Sequence, residues 1–401
     1  MRINHKVGRV GTVKTISAKA NIQSNTRLLW LDGLRGLIMV LMAIDHASYF
    51  VAKVHLGEFW GLPLPDYGSA ATFLTRFVTH FCAPGFFFLM GVGMVLFADG
   101  RYRLGWSTGK VARHFAVRGA LLILFQLILE DPAWLIGDLV NPVNIGDPPG
   151  GGSSVWVHLG VLYALGASLI LWGLLLRANT AVTLILSLGT LLTTQLVIST
   201  LDNVNALYAP LLRLTLIPGH TNALQVYYPI LPWFGLAGAG VAFGKLLLQD
   251  RSRAYRAALI AGIVALTLFV LLRVMGGFGN IHPPQSWDWI DFLSLTKYPP
   301  SLTYSLLTLG VLMLFVYLFS RSDMWLQRWG APLLVFGRVP LFFYIVHLYL
   351  YLVIGFAFPS GTGFLMMYFA WLVGLLILYP LCQWYGRFKR RQAPDAIWRF
   401  F

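Results

Sequence analysis

Long apolar segments recur along the chain and restrict the folds that it can adopt. A membrane-spanning helix needs about 20 mainly apolar residues, because each residue adds about 1.5 Å and the hydrocarbon core is about 30 Å thick. Ten segments are long enough, and they are centred on residues 31–50, 78–98, 112–129, 155–176, 180–200, 229–248, 254–274, 301–320, 334–357 and 362–385. Hydrophobic residues make up 57% and charged residues 11% of the chain, which excludes an ordinary soluble globular protein. We therefore predict an all-α polytopic integral membrane protein, a helix bundle with about ten transmembrane helices.

The basic residues are distributed unevenly between the two sides that ten spans define. With the N-terminal tail in the cytoplasm, 23 of the 30 Lys and Arg residues lie on the inner side and five lie on the outer side. This positive-inside asymmetry predicts a multi-pass protein of the plasma (inner) membrane with both termini cytoplasmic. Residues 1–27 and 387–401 are expected to be basic cytoplasmic tails around a transmembrane domain of residues 28–386. The net charge of +15 then reflects topology and contact with anionic membrane lipid, and we predict no nucleic-acid binding.

The first apolar segment, Leu31–Phe50, contains the ionisable residues Asp32, Arg35, Asp45 and His46. Such groups are costly at membrane depth, so they usually mark a functional site. Arg35 and His46 are eleven residues apart, which places them within about 20° of one helix face and about 16 Å apart along the axis. Asp32 is spaced to pair with Arg35, and Asp45 should face another helix. Anchoring at the membrane interface is an alternative for Asp32 and Arg35, but it does not account for His46.

A second cation and a deeper histidine occur in the ninth apolar segment. Arg338 lies toward its cytoplasmic end, and His347 follows nine residues later. A histidine inside a span can be a site residue, but it can equally be a hydrogen-bonding partner between helices. Both interpretations of His347 stay open.

Two predicted outer loops, residues 130–154 and 275–300, are rich in carboxylates and aromatic side chains. The first contains Glu130 and several aspartates, and the second contains Trp287 and Trp289. Carboxylates for hydrogen bonds and indoles for stacking would suit a polar acceptor such as a sugar. The alternative is that the tryptophans belong to the aromatic belt at the membrane interface.

Three motifs in this order resemble the heparan-alpha-glucosaminide N-acetyltransferase family, including its bacterial members. They are Asp32-Gly33-Leu34-Arg35-Gly36, the run from Ala83 to Gly91, and the run from Gly337 to Tyr344 followed by His347. Arg35, ten intervening residues and His46 also resemble the Arg-x10-His signature of a wider superfamily of transmembrane acyltransferases. The resemblance is strongest over residues 27–130 and 330–350.

The resemblance implies an acyltransferase that takes an acetyl group from acetyl-CoA on the cytoplasmic side. The acceptor would be the hydroxyl or amine of a sugar or glycan on the far side. CoA carries phosphates that basic side chains bind, and imidazole can act as base or nucleophile near neutral pH. The catalytic candidates are His46, His55 and Asp32, and the cofactor-binding candidates are Arg35, Arg338 and His347; no metal site is predicted.

This chain departs from the family pattern at its candidate base. The animal enzymes place the acting histidine near the outer end of the first span, where this chain has His55, and carry an asparagine at the position of His46. We favour His46 because its spacing matches the wider superfamily and it shares a helix face with Arg35. A transporter or lipid-linked exporter is the alternative function, although no internal duplication supports it. The sequence leaves open the acceptor, the acyl chain length and whether the protein forms a homo-oligomer.

Overall fold

The computed structural model describes residues 28–140, 157–198, 209–221, 224–393 and 398. The predicted tail of residues 1–27 therefore lies outside the described residues, as does the part of the first predicted outer loop from 141 to 154. The α-helices of the described residues are α1 Leu29–Ala47, α2 Ala70–Thr79, α3 Cys82–Arg103, α4 Thr108–Phe125, α5 Asp131–Val140, α6 Val161–Leu175, α7 Thr180–Ile198, α8 Ala209–Thr215, α9 Ile230–Gln249, α10 Arg251–Met275, α11 Trp289–Leu293, α12 Leu302–Phe319, α13 Asp323–Arg328, α14 Ala331–Arg338, α15 Pro340–Gly355 and α16 Phe364–Arg391.

The prediction of an all-α polytopic membrane protein is confirmed. Within the described residues, eight continuous helical segments are long and apolar enough to span a membrane. The helices α14 and α15 pass the same test only as a pair, and their axes differ by 96° around Val339 and Pro340, which is the geometry of a broken span or of a re-entrant loop. Proline explains the break between α14 and α15, since its ring and missing N–H do not fit a helix interior. The fourth predicted segment, residues 155–176, contains α6, an apolar helix of only 15 residues.

The spanning helices run alternately between two ends of the bundle. One end, which we call the basic end, contains the start of α1, the α3–α4 and α9–α10 turns and the end of α16, and these bear Arg101, Arg103, Arg251, Arg253 and the cluster at residues 387–391. The opposite end contains the loops of residues 53–69, 276–301 and 356–363. The last helix reaches Arg391, five residues into the predicted C-terminal tail.

Helix α1 lies inside the bundle, with most of its residues buried. Two glycines let its backbone meet that of α14: a Cβ at Gly36 would lie 1.9 Å from the Leu333 carbonyl oxygen, and one at Gly337 would lie 1.8 Å from that of Asp32. Both distances are far inside van der Waals contact, so only glycine fits. The first and third family-like motifs therefore meet through their backbones.

The helix of the first span changes geometry just after His46. Residues Ser48–Ala52 form a π-helical turn, and the helix ends at Lys53, which has a left-handed backbone with φ of 58°. Turns of this kind are frequent at functional sites because they redirect side chains. The chain then crosses the opposite end as a loop and brings His55 back toward the bundle.

The prediction of the first outer loop is partly wrong. Helix α4 continues through a second π-helical turn, Gln126–Glu130, into α5, so residues 130–140 are helical and extend the third span. Three strands, β1 Val157–Leu159, β2 Gly219–Thr221 and β3 Leu224–Val226, form a small sheet in the order β1-β3-β2 at the opposite end. The sheet pairs His158 with Gln225 and was not predicted.

Candidate active site

A cavity of about 850 Å³, including its mouth, lies toward the opposite end of the bundle. We call it the histidine cavity because His46 and His55 both line it. The polar and aromatic residues of its wall further include Asp45, Thr79, Gln126, Glu130, Trp134, Asp138, His158, Tyr227, Tyr228, Lys297, Tyr298 and Tyr344. The fold thus brings two sequence-predicted histidines into one cavity.

His46 is held by a second histidine from α15. Its Nδ1 lies 2.5 Å from Nε2 of His347, and the two ring centroids are 4.7 Å apart. Nδ1 of His347 is 3.0 Å from the Phe343 carbonyl oxygen, which can only accept a hydrogen bond. Nδ1 of His347 is therefore the donor, its Nε2 accepts the proton of His46 Nδ1, and the basic nitrogen of neutral His46 is Nε2. His347 itself is fully buried, and it lines neither the histidine cavity nor the second cavity described below.

His55 is less constrained than His46. Its Nδ1 lies 3.8 Å from Asp45 Oδ1, which is too long for a hydrogen bond. Burial lowers the pKa of His55 to about 4, although the charge of the nearby Asp45 opposes this shift. The imidazole of His55 is therefore neutral at physiological pH.

Asp45 meets another helix, as predicted from its position on α1. Its Oδ1 accepts a hydrogen bond of 2.7 Å from Nη1 of Arg76 on α2. The same guanidinium donates two hydrogen bonds, of 2.8 and 2.7 Å, to the carboxylate of Glu58. Burial raises the pKa of Glu58, but the charge of Arg76 and its hydrogen bonds outweigh burial and hold that pKa well below its usual value. This buried network fixes one wall of the histidine cavity.

Carboxylates and aromatic rings from the α4–α5 segment form another wall. The Trp134 ring lies edge-on to His46, with centroids 5.3 Å apart. The backbone N–H and the ring Nδ1–H of His158, on β1, each donate a hydrogen bond of 3.0 Å to Asp131 Oδ1. The predicted acidic and aromatic character of residues 130–140 therefore belongs to the cavity. Trp287 and Trp289 do not line it and are 81% and 45% exposed.

A second cavity, of about 1420 Å³, lies toward the basic end. We call it the arginine cavity, since its wall carries Arg35, Arg118, Arg338 and Lys389. The rest of its wall is apolar and includes methionines, leucines and phenylalanines of α1, α3, α4 and α6. Arg35 Nη1 donates a 3.2 Å hydrogen bond to the Gly337 carbonyl oxygen, which orients the side chain across the α1–α14 contact.

Asp32 lies with the arginines and not with the histidines. It is 3.7 Å from Arg35, as the i,i+3 spacing predicts, and also 3.7 Å from Nε of Arg338. The 14 residues between Asp32 and His46 correspond to about 21 Å of helix. The structure therefore places Asp32 where it can orient two cations, at the other end of α1 from the candidate base.

Several site residues were not singled out from the sequence. Lys297 lines the histidine cavity from a distant loop, and Arg76, which is held by Glu58, bonds to the cavity residue Asp45. Arg118 was counted only as a topological charge. The available signal was that Arg76 and Lys297 are cations on the side of the membrane that carries few. Among the described residues, no group of three or more His, Cys, Asp or Glu side chains is arranged to hold a metal ion.

Comparison with known proteins agrees with the motifs. The model of the family described as heparan-alpha-glucosaminide N-acetyltransferase, catalytic, matches residues 27–276, which is more than half of the 401-residue chain. No curated protein matches the chain. The matched region contains both candidate bases and Arg35, whereas Arg338 and His347 follow it. The chain therefore belongs to the heparan-alpha-glucosaminide N-acetyltransferase family, whose catalytic domain is that of a membrane acetyltransferase.

Proposed function

We propose that this protein moves an acetyl group from acetyl-CoA, bound in the arginine cavity, to a sugar or glycan acceptor in the histidine cavity. The observation that carries the proposal is the pair of cavities itself. They lie toward opposite ends of a membrane bundle and share three lining residues, Phe86, Val161 and Tyr344. A donor and an acceptor on opposite sides of the membrane would meet at these residues.

The chemistry of the arginine cavity suits CoA. Phosphates bind guanidinium groups through paired, charge-assisted hydrogen bonds, and Arg35, Arg118 and Arg338 supply such groups. The apolar wall suits the pantetheine arm, which has to cross part of the membrane. Asp32 supports this arrangement by holding two of the arginines in position.

The chemistry of the histidine cavity suits an acyl acceptor, and His46 is our choice as general base. Its Nε2 takes the proton of the acceptor hydroxyl or amine while the acceptor atom bonds to the acetyl carbon. The carbon–sulfur bond of the thioester then breaks, and the proton on His46 passes to the departing CoA sulfur. Carboxylates such as Asp138 and aromatic rings such as Trp134 and Tyr227 are the side chains that bind sugars through hydrogen bonds and stacking.

The orientation follows from the charge asymmetry: the basic end is cytoplasmic, and both termini lie there. Single cysteines introduced at Gly105 and Asp250, in turns at the basic end, should resist an impermeant thiol reagent applied to intact cells. A cysteine at exposed Ser360, in an opposite-end loop, should react. The native Cys82 and Cys382 are buried and should contribute little background. Labelling at position 105 or 250 with none at 360 would reverse the orientation.

The function is tested with inside-out membrane vesicles that contain glucosamine. Radiolabelled acetyl-CoA added outside should give labelled N-acetylglucosamine inside the vesicles, because the cytoplasmic face now points outward. The His46→Ala variant should lose about 10²- to 10⁴-fold in turnover while it retains acetyl-CoA binding. His55→Ala should lose much less, mainly through a higher KM for the sugar. If His55→Ala abolishes transfer and His46→Ala is nearly silent, His55 is the base; if no labelled sugar or glycan forms, the proposed activity is wrong.

A further inference from the structure

Three residues, Phe86, Val161 and Tyr344, line both cavities and therefore lie where the two adjoin. Phe86 is partly exposed on α3, although the next two residues, Phe87 and Phe88, are fully buried in the core. Val161 is the first residue of α6, and Tyr344 lies one turn before His347 on α15. Residues from three helices thus lie at the junction of the two cavities, and we call these three residues the partition.

Tyr344 ties the partition to the histidine cavity. It lines that cavity together with Glu130, which is 2% exposed. The Tyr344 ring also lies nearly perpendicular to the ring of His46, with centroids 6.3 Å apart. The partition therefore adjoins the proposed base, and its position is coupled to residues of the acceptor wall.

We propose that Phe86, Val161 and Tyr344 form an acyl port, with Phe86 as its movable member. The port admits the thioester end of the donor to His46 and closes the histidine cavity to the donor side at other times. This inference rests on the proposed function. It adds a role for three residues that neither the family-like motifs nor the histidine chemistry assigns.

A port is needed because the base cannot distinguish an acceptor hydroxyl from water. If water reached the thioester beside His46, its oxygen would bond to the acetyl carbon as His46 took its proton. The carbon–sulfur bond would break, and the products would be acetate and CoA thiol. Exclusion of water from the reacting centre is a general means of preventing such hydrolysis. Phe86 is suited to this task because it is apolar, large and not locked in the core.

The first test enlarges the port. Phe86→Ala should raise the rate at which purified full-length protein releases CoA thiol from acetyl-CoA without any acceptor, by several-fold over wild type. Phe315→Ala is the matched control, because Phe315 is a partly buried phenylalanine of α12 that lines neither cavity. It should leave hydrolysis unchanged. The increase in hydrolysis should disappear in the double variant Phe86→Ala/His46→Ala, because hydrolysis requires the base. A general loss of folding would not produce an increase that depends on His46.

The second test narrows the port. Phe86→Trp should still bind CoA with near wild-type affinity, but its transfer to glucosamine should fall by about 10²-fold because the thioester is held short of His46. Phe86→Leu, which preserves an apolar side chain, serves as the folding control for both variants. Unchanged hydrolysis in Phe86→Ala together with normal transfer in Phe86→Trp would overturn the port and leave the proposed function intact. Absence of acetyl transfer in the wild-type protein would instead overturn the function.

Discussion

The hydrogen bond between His46 and His347 gives a quantitative prediction. When His46 takes the acceptor's proton, both of its ring nitrogens carry hydrogen, and Nδ1–H depends on Nε2 of His347 as its acceptor. His347→Ala removes that acceptor inside a fully buried contact. Leaving a buried donor unsatisfied costs about 1–3 kcal/mol, which corresponds to about 5- to 150-fold in rate.

The loss should appear in kcat for acetyl transfer, with little change in acetyl-CoA affinity. His347→Gln should recover part of the activity, because its amide oxygen can accept the same proton. His282→Ala is a control for removal of a histidine, since His282 bonds to Thr296 outside both cavities. Steady-state kinetics with varied acetyl-CoA and glucosamine measure both parameters. A His347→Ala variant with normal kcat and a raised KM for acetyl-CoA would refute the positioning role and support cofactor binding.

The remaining predictions concern the donor site, helix packing and the pH profile. Arg35→Ala should weaken CoA binding by about 10- to 150-fold, as expected for loss of a charged hydrogen bond, whereas Arg253→Ala at the same end should not, as calorimetry can measure. Gly240→Ala places a Cβ 2.0 Å from a carbonyl oxygen of α3 and should destabilise the protein by about 1–3 kcal/mol; Gly189→Ala meets open space and should not lower Tm. Since the pKa of His55 is lowered to about 4, a base at this position would make kcat/KM fall only near pH 4. If kcat/KM falls on the acid side above pH 5, that fall should remain in His55→Ala. Its loss in His55→Ala would exclude His46 as the sole base.

Features carried by one helix were predictable from the sequence. The helical period relates Arg35 to His46 and Asp32 to Arg35, and the structure places these side chains as the period requires. The same reasoning placed Asp45 against a different helix, and its contact with Arg76 confirms this. Each of these predictions depends on one repeat of about 3.6 residues and on no distant contact.

Features that depend on distant segments were not predictable. The carboxylate of Glu58 accepts a hydrogen bond from Arg76, 18 residues away in the chain. Lys297 lines the histidine cavity from a loop more than 200 residues later. Nothing in local periodicity specifies these contacts. Polar residues after an apolar run also resemble a loop, and for this reason Glu130 was assigned to one. The helix in fact continues, and it carries Glu130, 2% exposed, into the wall of the histidine cavity.

The same buried network bears on the choice between the two candidate bases. A histidine base works best when a neighbouring acceptor fixes its tautomer and stabilises its charged form. Asp45 is the carboxylate nearest to His55, but its charge is already engaged by Arg76, and 3.8 Å separates it from the His55 ring. His46 has a dedicated acceptor at 2.5 Å, which is in turn fixed by a backbone carbonyl. The arrangement therefore prepares His46 to take a proton and leaves His55 as a neutral side chain that can hold the acceptor.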